Sequence, residues 1–191
     1  MTANPIRILG IAGSLRSASF NRALLRATLQ LAPSGVEITT FDALGALPFY
    51  DGDVEAAGEP PEVHDLREAI EAADAVLLVT PEYNDSTSAV LKNAIDWASR
   101  PPQRTIRGKL VAVMGSSVTP SGARGGIESV QRSLRRAGAD VLEEQVAIPS
   151  VSAAFDEDMH LTDDLVRAEV AGLVQTIATR IREASEEKIA A

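Results

Sequence analysis

The feature that most constrains this chain is a rhythm. Five short apolar runs, each of strand length, alternate with stretches that carry apolar residues at helical spacing. The runs are Ile6–Ala12 (IRILGIA), 36–41 (VEITTF), Ala75–Thr80 (AVLLVT), 109–115 (KLVAVMG) and Asp140–Ile148. The helical stretches are 21–31, 62–73, 88–99, 127–137 and 162–184, the last with Leu165, Val166, Val170, Leu173, Val174, Ile177 and Ile181 in register. Strands joined by helical crossovers pair in parallel, and helices then cover both faces of the sheet. The run 75–80 is apolar throughout and reads as the central strand, whereas 36–41 alternates and reads as a more exposed one. Pro81, the pair Pro101 and Pro102, and Gly138 fall where elements must stop. The expectation is one α/β domain over residues 1–191, a three-layer sandwich. Its five-stranded parallel sheet takes the order 2-1-3-4-5, which suits five strands better than the six-stranded dinucleotide fold. A C-terminal helix is expected at about 162–186.

Composition excludes several chemistries. There is no cysteine, so disulfides, thiolate metal sites and cysteine nucleophiles are absent, and the two histidines, His64 and His160, are far apart in sequence. The formal charge of −9 opposes binding to nucleic acid or to an anionic membrane. No apolar run approaches the ~20 residues of a membrane span, and the short polar start does not read as a signal peptide. A cytoplasmic protein is expected.

In an open parallel sheet, ligands bind beyond the carboxyl ends of the strands. Three unusual loops fall there. The first, GSLRSASFN at 13–21, offers the hydroxyls of Ser14, Ser17 and Ser19, the Asn21 amide, the Arg16 guanidinium and the free N–H groups of a helix start. Together these are the donors a phosphate needs, although Ser19 would equally serve as a helix N-cap. Neither GxxxxGK[ST] nor GxGxxG occurs. The second loop, PEYNDSTS at 81–88, provides Tyr83, Asn84 and turn backbone for the rim of a flat heteroaromatic ring, or reads simply as a strand-to-helix turn capped by Ser88. The third, SSVTPSGARGG at 116–126, has glycines that let backbone approach a ligand closely, or is a flexible connector. A fourth segment, 42–61, is long for a connection, and its LPFYDGD stretch is apolar and aromatic. It is expected to pack on a partner subunit or to act as a lid.

GSLRSASFN at 13–21, LPFYDGD at 47–53, TPEYNDSTSAVLKNAIDWAS at 80–99, GKLVAVMGSS at 108–117 and the SGARGG stretch together resemble the NADPH-dependent FMN reductase family, over roughly residues 6–150. That family includes bacterial quinone, chromate and azo-dye reductases. The resemblance implies a flavodoxin-like fold, bound FMN, NADPH as reductant, and a homodimer or homotetramer with the flavin near the subunit interface. It further implies that Ser14, Arg16, Ser19, Phe20 and Asn21 surround the phosphate, and that Pro81, Glu82, Tyr83, Asn84, Asp85 and Ser117 line the ring. Asp85 departs from the pattern, since the family commonly has Tyr or Gly there. An ion pair between Asp85 and Arg124 at the rim is one expectation; a carboxylate pointing to solvent is the other.

The function these features imply is that of an oxidoreductase. It passes hydride from a reduced nicotinamide through FMN to a small-molecule electron acceptor: a quinone, a flavin, an azo compound or chromate. The flavin carries the redox chemistry, so no catalytic side chain is nominated. A flavodoxin-type electron carrier needing a protein partner is the alternative, and a flavin-free scaffold of the same fold is another. Trp97 reads as a packing or interface residue; with Phe49 and Tyr50 it is expected to supply apolar interface surface. His64 is expected to be exposed, and His160 to lie away from the site.

Overall fold

β1 (Ile6–Ala12), β2 (Val36–Thr40), β3 (Ala75–Thr80), β4 (Leu110–Ser116) and β5 (Asp140–Ile148) form one parallel sheet of order β2-β1-β3-β4-β5 in the computed structural model, which describes residues 4–190. The helices are α1 (Phe20–Leu31), α2 (Gly52–Ala57), α3 (Pro61–Ala72), α4 (Ala89–Ser99), α5 (Arg124–Ala137) and α6 (Asp164–Ala190). β3 and β4 pair in register from Ala75 opposite Leu110 to Thr80 opposite Gly115, and every residue of both strands is buried. Their side chains alternate between two cores. Leu77, Val79, Ala112 and Met114 pack with Leu24 of α1 and Val174 and Ile177 of α6. Val76, Leu78, Val111 and Val113 pack on the other face with Leu66 of α3, Leu91 and Trp97 of α4, and Ile127 and Leu134 of α5. The five strands, their order and the five long helices match the expectation.

The helix ends explain the shifts in boundary. Ser19 caps α1 by accepting from the Arg22 N–H (3.4 Å), and Ser88 caps α4 by accepting from the Leu91 N–H (3.4 Å). Asp163 Oδ1 accepts from the N–H groups of Leu165 (2.9 Å) and Val166 (3.1 Å), so α6 starts at Asp164 rather than 162. No proline or glycine interrupts 183–190, and the helix runs on to Ala190. α5 begins at Arg124, three residues before 127, so Gly125 and Gly126 lie in its first turn.

The segment 42–61 is not a plain loop. It contains a 3-10 turn at Ala43–Ala46 and the short helix α2, started by Asp51, whose carboxylate accepts from the Asp53 N–H (2.8 Å). It is tied to α4 through two buried side chains, Asn93 and Trp97. Asn93 donates from Nδ2 to the Pro48 carbonyl (2.9 Å) and accepts at Oδ1 from the Tyr50 N–H (2.8 Å). The Trp97 indole N–H donates to the same Pro48 carbonyl (2.8 Å). Trp97 is only 1% exposed, so it supplies no interface surface; its ring is spent on the Tyr50 ring, edge-on at 5.0 Å. The Arg100 guanidinium lies 5.1 Å from the Tyr50 centroid and pairs with Glu55, holding that carboxyl below the usual range. No helix among the described residues is long and apolar enough to cross a membrane.

Asn93→Ala should therefore strand the Tyr50 N–H and remove one of two donors to Pro48. A loss of about 1–3 kcal/mol in unfolding free energy is expected, read by urea denaturation.

Candidate functional site

Parallel strands end together, and the loops leaving β1, β3 and β4 converge at their carboxyl ends. They enclose a cleft of about 180 Å³ lined by Ser14, Arg16, Ala18, Ser19, Phe20, Asn21, Pro81, Glu82, Tyr83, Ser116, Ser117, Val118 and Val151. A broader hollow of about 510 Å³ runs along the edge of β5 against α6, bordered by Arg124, Glu144, Gln145 and Glu169. The strand-end cleft is the better candidate, because helix α1 points its N-terminus there and uncommitted donors face into it.

The first loop is held from below. The Gly13 N–H donates to the Val79 carbonyl (2.8 Å), and Asn21, buried at the start of α1, bridges to the end of β4. Asn21 donates from Nδ2 to the Ser116 carbonyl (3.1 Å), and its Oδ1 accepts from the Ser116 N–H (3.0 Å) and hydroxyl (3.2 Å). The amide expected to face a phosphate is thus committed to the scaffold. By contrast, Ser14 and Arg16 make no side-chain hydrogen bond or ion pair among the described residues. Ser19 uses its oxygen as the cap and keeps its proton to give. Two hydroxyls, one guanidinium and the first N–H groups of α1 fit a phosphate monoester such as that of FMN. Phe20 meets Phe155 at 5.5 Å behind the loop, so its ring belongs partly to the core.

The second loop is a tight turn. Tyr83 and Ser86 exchange backbone hydrogen bonds (3.0 and 3.1 Å), and Asn84 and Asp85 between them have φ of 51° and 59°. Two positive φ values make this a primed turn, in which Asn and Asp tolerate the left-handed region better than most residues. Asn84 and Asp85 are exposed and do not line the cleft, whereas Pro81, Glu82 and Tyr83 do. Tyr83 stands at the mouth, 49% exposed. Asp85 forms no ion pair with Arg124 among the described residues. Instead its carboxylate lies against Gly125, where an added Cβ would overlap Oδ1.

The third loop is ordered by hydroxyls. Ser117 bonds Thr119 through Oγ (2.8 Å), and Thr119 bonds Ser121 (2.8 Å). Two of its three glycines, Gly125 and Gly126, make room for the second loop rather than for a ligand: a Cβ at Gly126 would sit 2.7 Å from the Pro81 carbonyl and 3.2 Å from Glu82 Cα. Ala18, Ser116, Val118 and Val151 also line the cleft; the first three lie within loops that the sequence singles out, and Val151 lies outside them. Val151 lies in a 3-10 turn after β5, and only the sheet topology brings it here. His160 is exposed, lies beside Asp156 and does not line the cleft, and His64 is exposed on α3.

The family model for NADPH-dependent FMN reductase matches residues 6–153. The chain belongs to that family. An NAD(P)H-dependent FMN reductase of Pseudomonas aeruginosa is 41% identical over 181 residues, covering 94% of this chain and 97% of the relative. A quinone reductase of Pseudomonas putida is 36% identical over 173 residues, covering 90% and 92% respectively. Among solved structures, FerB, a flavoenzyme NAD(P)H:(acceptor) oxidoreductase from Paracoccus denitrificans, superposes with a TM-score of 0.84 at 33% identity, covering 93% of this chain and 98% of that one. An archaeal flavodoxin shares the fold alone, with a TM-score of 0.60 at 12% identity, covering 93% of this chain and 99% of that one. In this FMN reductase family member, the cleft built by the three loops is the candidate site.

The crowding at the two glycines gives a contrast. Gly125→Ala meets chiefly the tip of the Asp85 side chain, which can turn away, and should change stability by less than about 1 kcal/mol. Gly126→Ala meets backbone on the opposite loop and should cost about 1–3 kcal/mol despite the better helix propensity of alanine. Denaturant titration of both variants checks this.

Proposed function

We propose that the protein oxidises NADPH through FMN bound in the strand-end cleft and reduces a quinone. The observation that carries this is the pair Ser14 and Arg16, without side-chain partners among the described residues, at the N-terminus of α1 in a chain of the FMN reductase family. When bound, FMN supplies hydride acceptance and release. The protein supplies placement. Ser14, Arg16, Ser19 and the first turn of α1 hold the phosphate; the Pro81–Glu82–Tyr83 backbone and Ser117 flank the ring; Phe20 and Asn21 set the loop behind it; Asn84 and Asp85 shape the turn that aims Tyr83. The Tyr83 ring at the mouth offers a flat face to a nicotinamide or a quinone. Glu82, the one carboxylate among the described residues that line the cleft, is bonded elsewhere, so no side chain is assigned as acid or base.

Quinone is the proposed acceptor because relatives named quinone reductases recur, in Pseudomonas putida and Escherichia coli, the latter 41% identical over 59% of this chain and 61% of the relative. The rim supports an apolar acceptor. Leu15, Phe49, Tyr83 and Val118 are exposed, each on the loop following a different strand at this one end of the sheet. The same apolar rim supports a homo-oligomer in which a second copy seats over the 76%-exposed Phe49, and no nucleic acid or membrane partner is proposed. A cytoplasmic location and a single-domain organisation are part of the same proposal.

Purified protein should show the visible absorbance of oxidised flavin and bleach on anaerobic addition of NADPH, with colour returning when a quinone is added. Absence of bleaching, with electrons accepted only from a protein donor, would favour the electron-carrier reading. Arg16→Ala should weaken FMN binding about ten- to a hundredfold, the value of a charge-assisted hydrogen bond of ~1.5–3 kcal/mol, and leave riboflavin nearly unaffected. Equal losses for both ligands would make Arg16 a structural residue.

A further inference from the structure

Helix α5 lacks a cap of its own. Its N-cap residue, Ala123, is in the left-handed region (φ 68°), makes no side-chain hydrogen bond, and is followed by a first turn with no acidic residue. The missing acceptor comes from the opposite loop. Glu82 Oε2 accepts from the Gly126 N–H (3.2 Å), and Glu82 Oε1 accepts from the Ser121 hydroxyl (2.8 Å). One carboxylate therefore joins the second ligand loop to the third, across the cleft wall that both of them build. Ser86 and Ser129 make a second stitch between the same elements, hydroxyl to hydroxyl at 3.0 Å.

The arrangement has an electrostatic logic. Among the described residues, Arg16 and Glu82 are the only charged side chains lining the cleft. A carboxylate turned into it would repel a phosphate and any negative charge arriving with hydride. Turned onto the positive end of α5, it is stabilised by an N–H, a hydroxyl and the helix dipole, while its own backbone remains part of the ring-side wall.

We infer that Glu82 is a positioning residue: its carboxylate caps α5 from outside the helix and thereby sets the spacing between the Pro81–Tyr83 backbone and the Ser117–Ser121 loop. This inference rests on the FMN reading of the cleft. Glutamine keeps the length and can still accept from Gly126 and donate to Ser121, so geometry without charge suffices for the role. Because the bridge shapes the ring side and not the phosphate side, its loss affects FMN and riboflavin alike, unlike the loss of Arg16.

The test uses full-length protein stripped of flavin and retitrated with FMN and with riboflavin, followed by flavin fluorescence. Amide exchange at Gly126 is measured in parallel. Glu82→Ala should weaken both flavins about tenfold and speed exchange at Gly126. Glu82→Gln should stay within about twofold of the native protein on both measures, and Ser121→Ala should weaken both flavins by an intermediate factor. Native-like flavin affinity in Glu82→Ala overturns the inference, as does a Glu82→Gln protein as weak as Glu82→Ala, which would mean that charge rather than spacing matters. Should Glu82→Ala fail to fold, Ser121→Ala decides: native-like flavin affinity there rejects the bridge. Failure of the native protein to bind any flavin would instead reject the FMN reading, and is told apart because Gly126 exchange would still respond to Glu82→Ala.

Discussion

Everything about this molecule depends on burying a parallel sheet on both faces. β3 and β4 bury all of their side chains, and only Ser116, the last residue of β4, borders the cleft. Reactive and recognising groups are pushed to where the strands stop, and parallel pairing makes them all stop on one side. The chain then reaches that side after each of the five strands, and the segments between strands line the cleft while the strands hold them level.

How the loops are held differs from one to the next. The first is anchored by a buried amide, Asn21, which links the start of α1 to the end of β4 across 95 residues of sequence. The second and third are anchored on each other, with glycines in α5 allowing backbone to pass close to backbone. The fourth, after β2, is anchored on α4 through Asn93 and Trp97. In each case a polar side chain completes backbone groups that a neighbouring loop leaves open, which is how irregular segments escape the cost of burying unpaired N–H and C=O groups.

The strands, their order and most helix boundaries were legible because they depend on periodicity and on proline or glycine stops, which are local signals. The donor-rich character of 13–21 was legible for the same reason: hydroxyls, an arginine and a helix start lie within nine residues. What could not be read was which polar groups the fold would consume. Nothing local tells that Asn21 is spent on Ser116 while Ser14 has no side-chain partner among the described residues, or that Gly125 and Gly126 serve Asp85 and Pro81 rather than a ligand. Trp97 was equally opaque. An aromatic on a helix looks the same whether it faces a partner or, as here, a loop of its own chain. Val151 entered the cleft only through topology.

The Asn21 bridge has a thermodynamic consequence. Its three hydrogen bonds are buried bonds between α1 and β4 and, at the same time, the mounting of the first loop of the cleft. Unfolding and emptying of the cleft therefore draw on the same contacts. A ligand that occupies the cleft adds its binding free energy to the stability of β4 and α1 directly, by mass action on the native state alone. Heat applied to the loaded protein should release its chromophore and melt its helices in a single cooperative event, not in two.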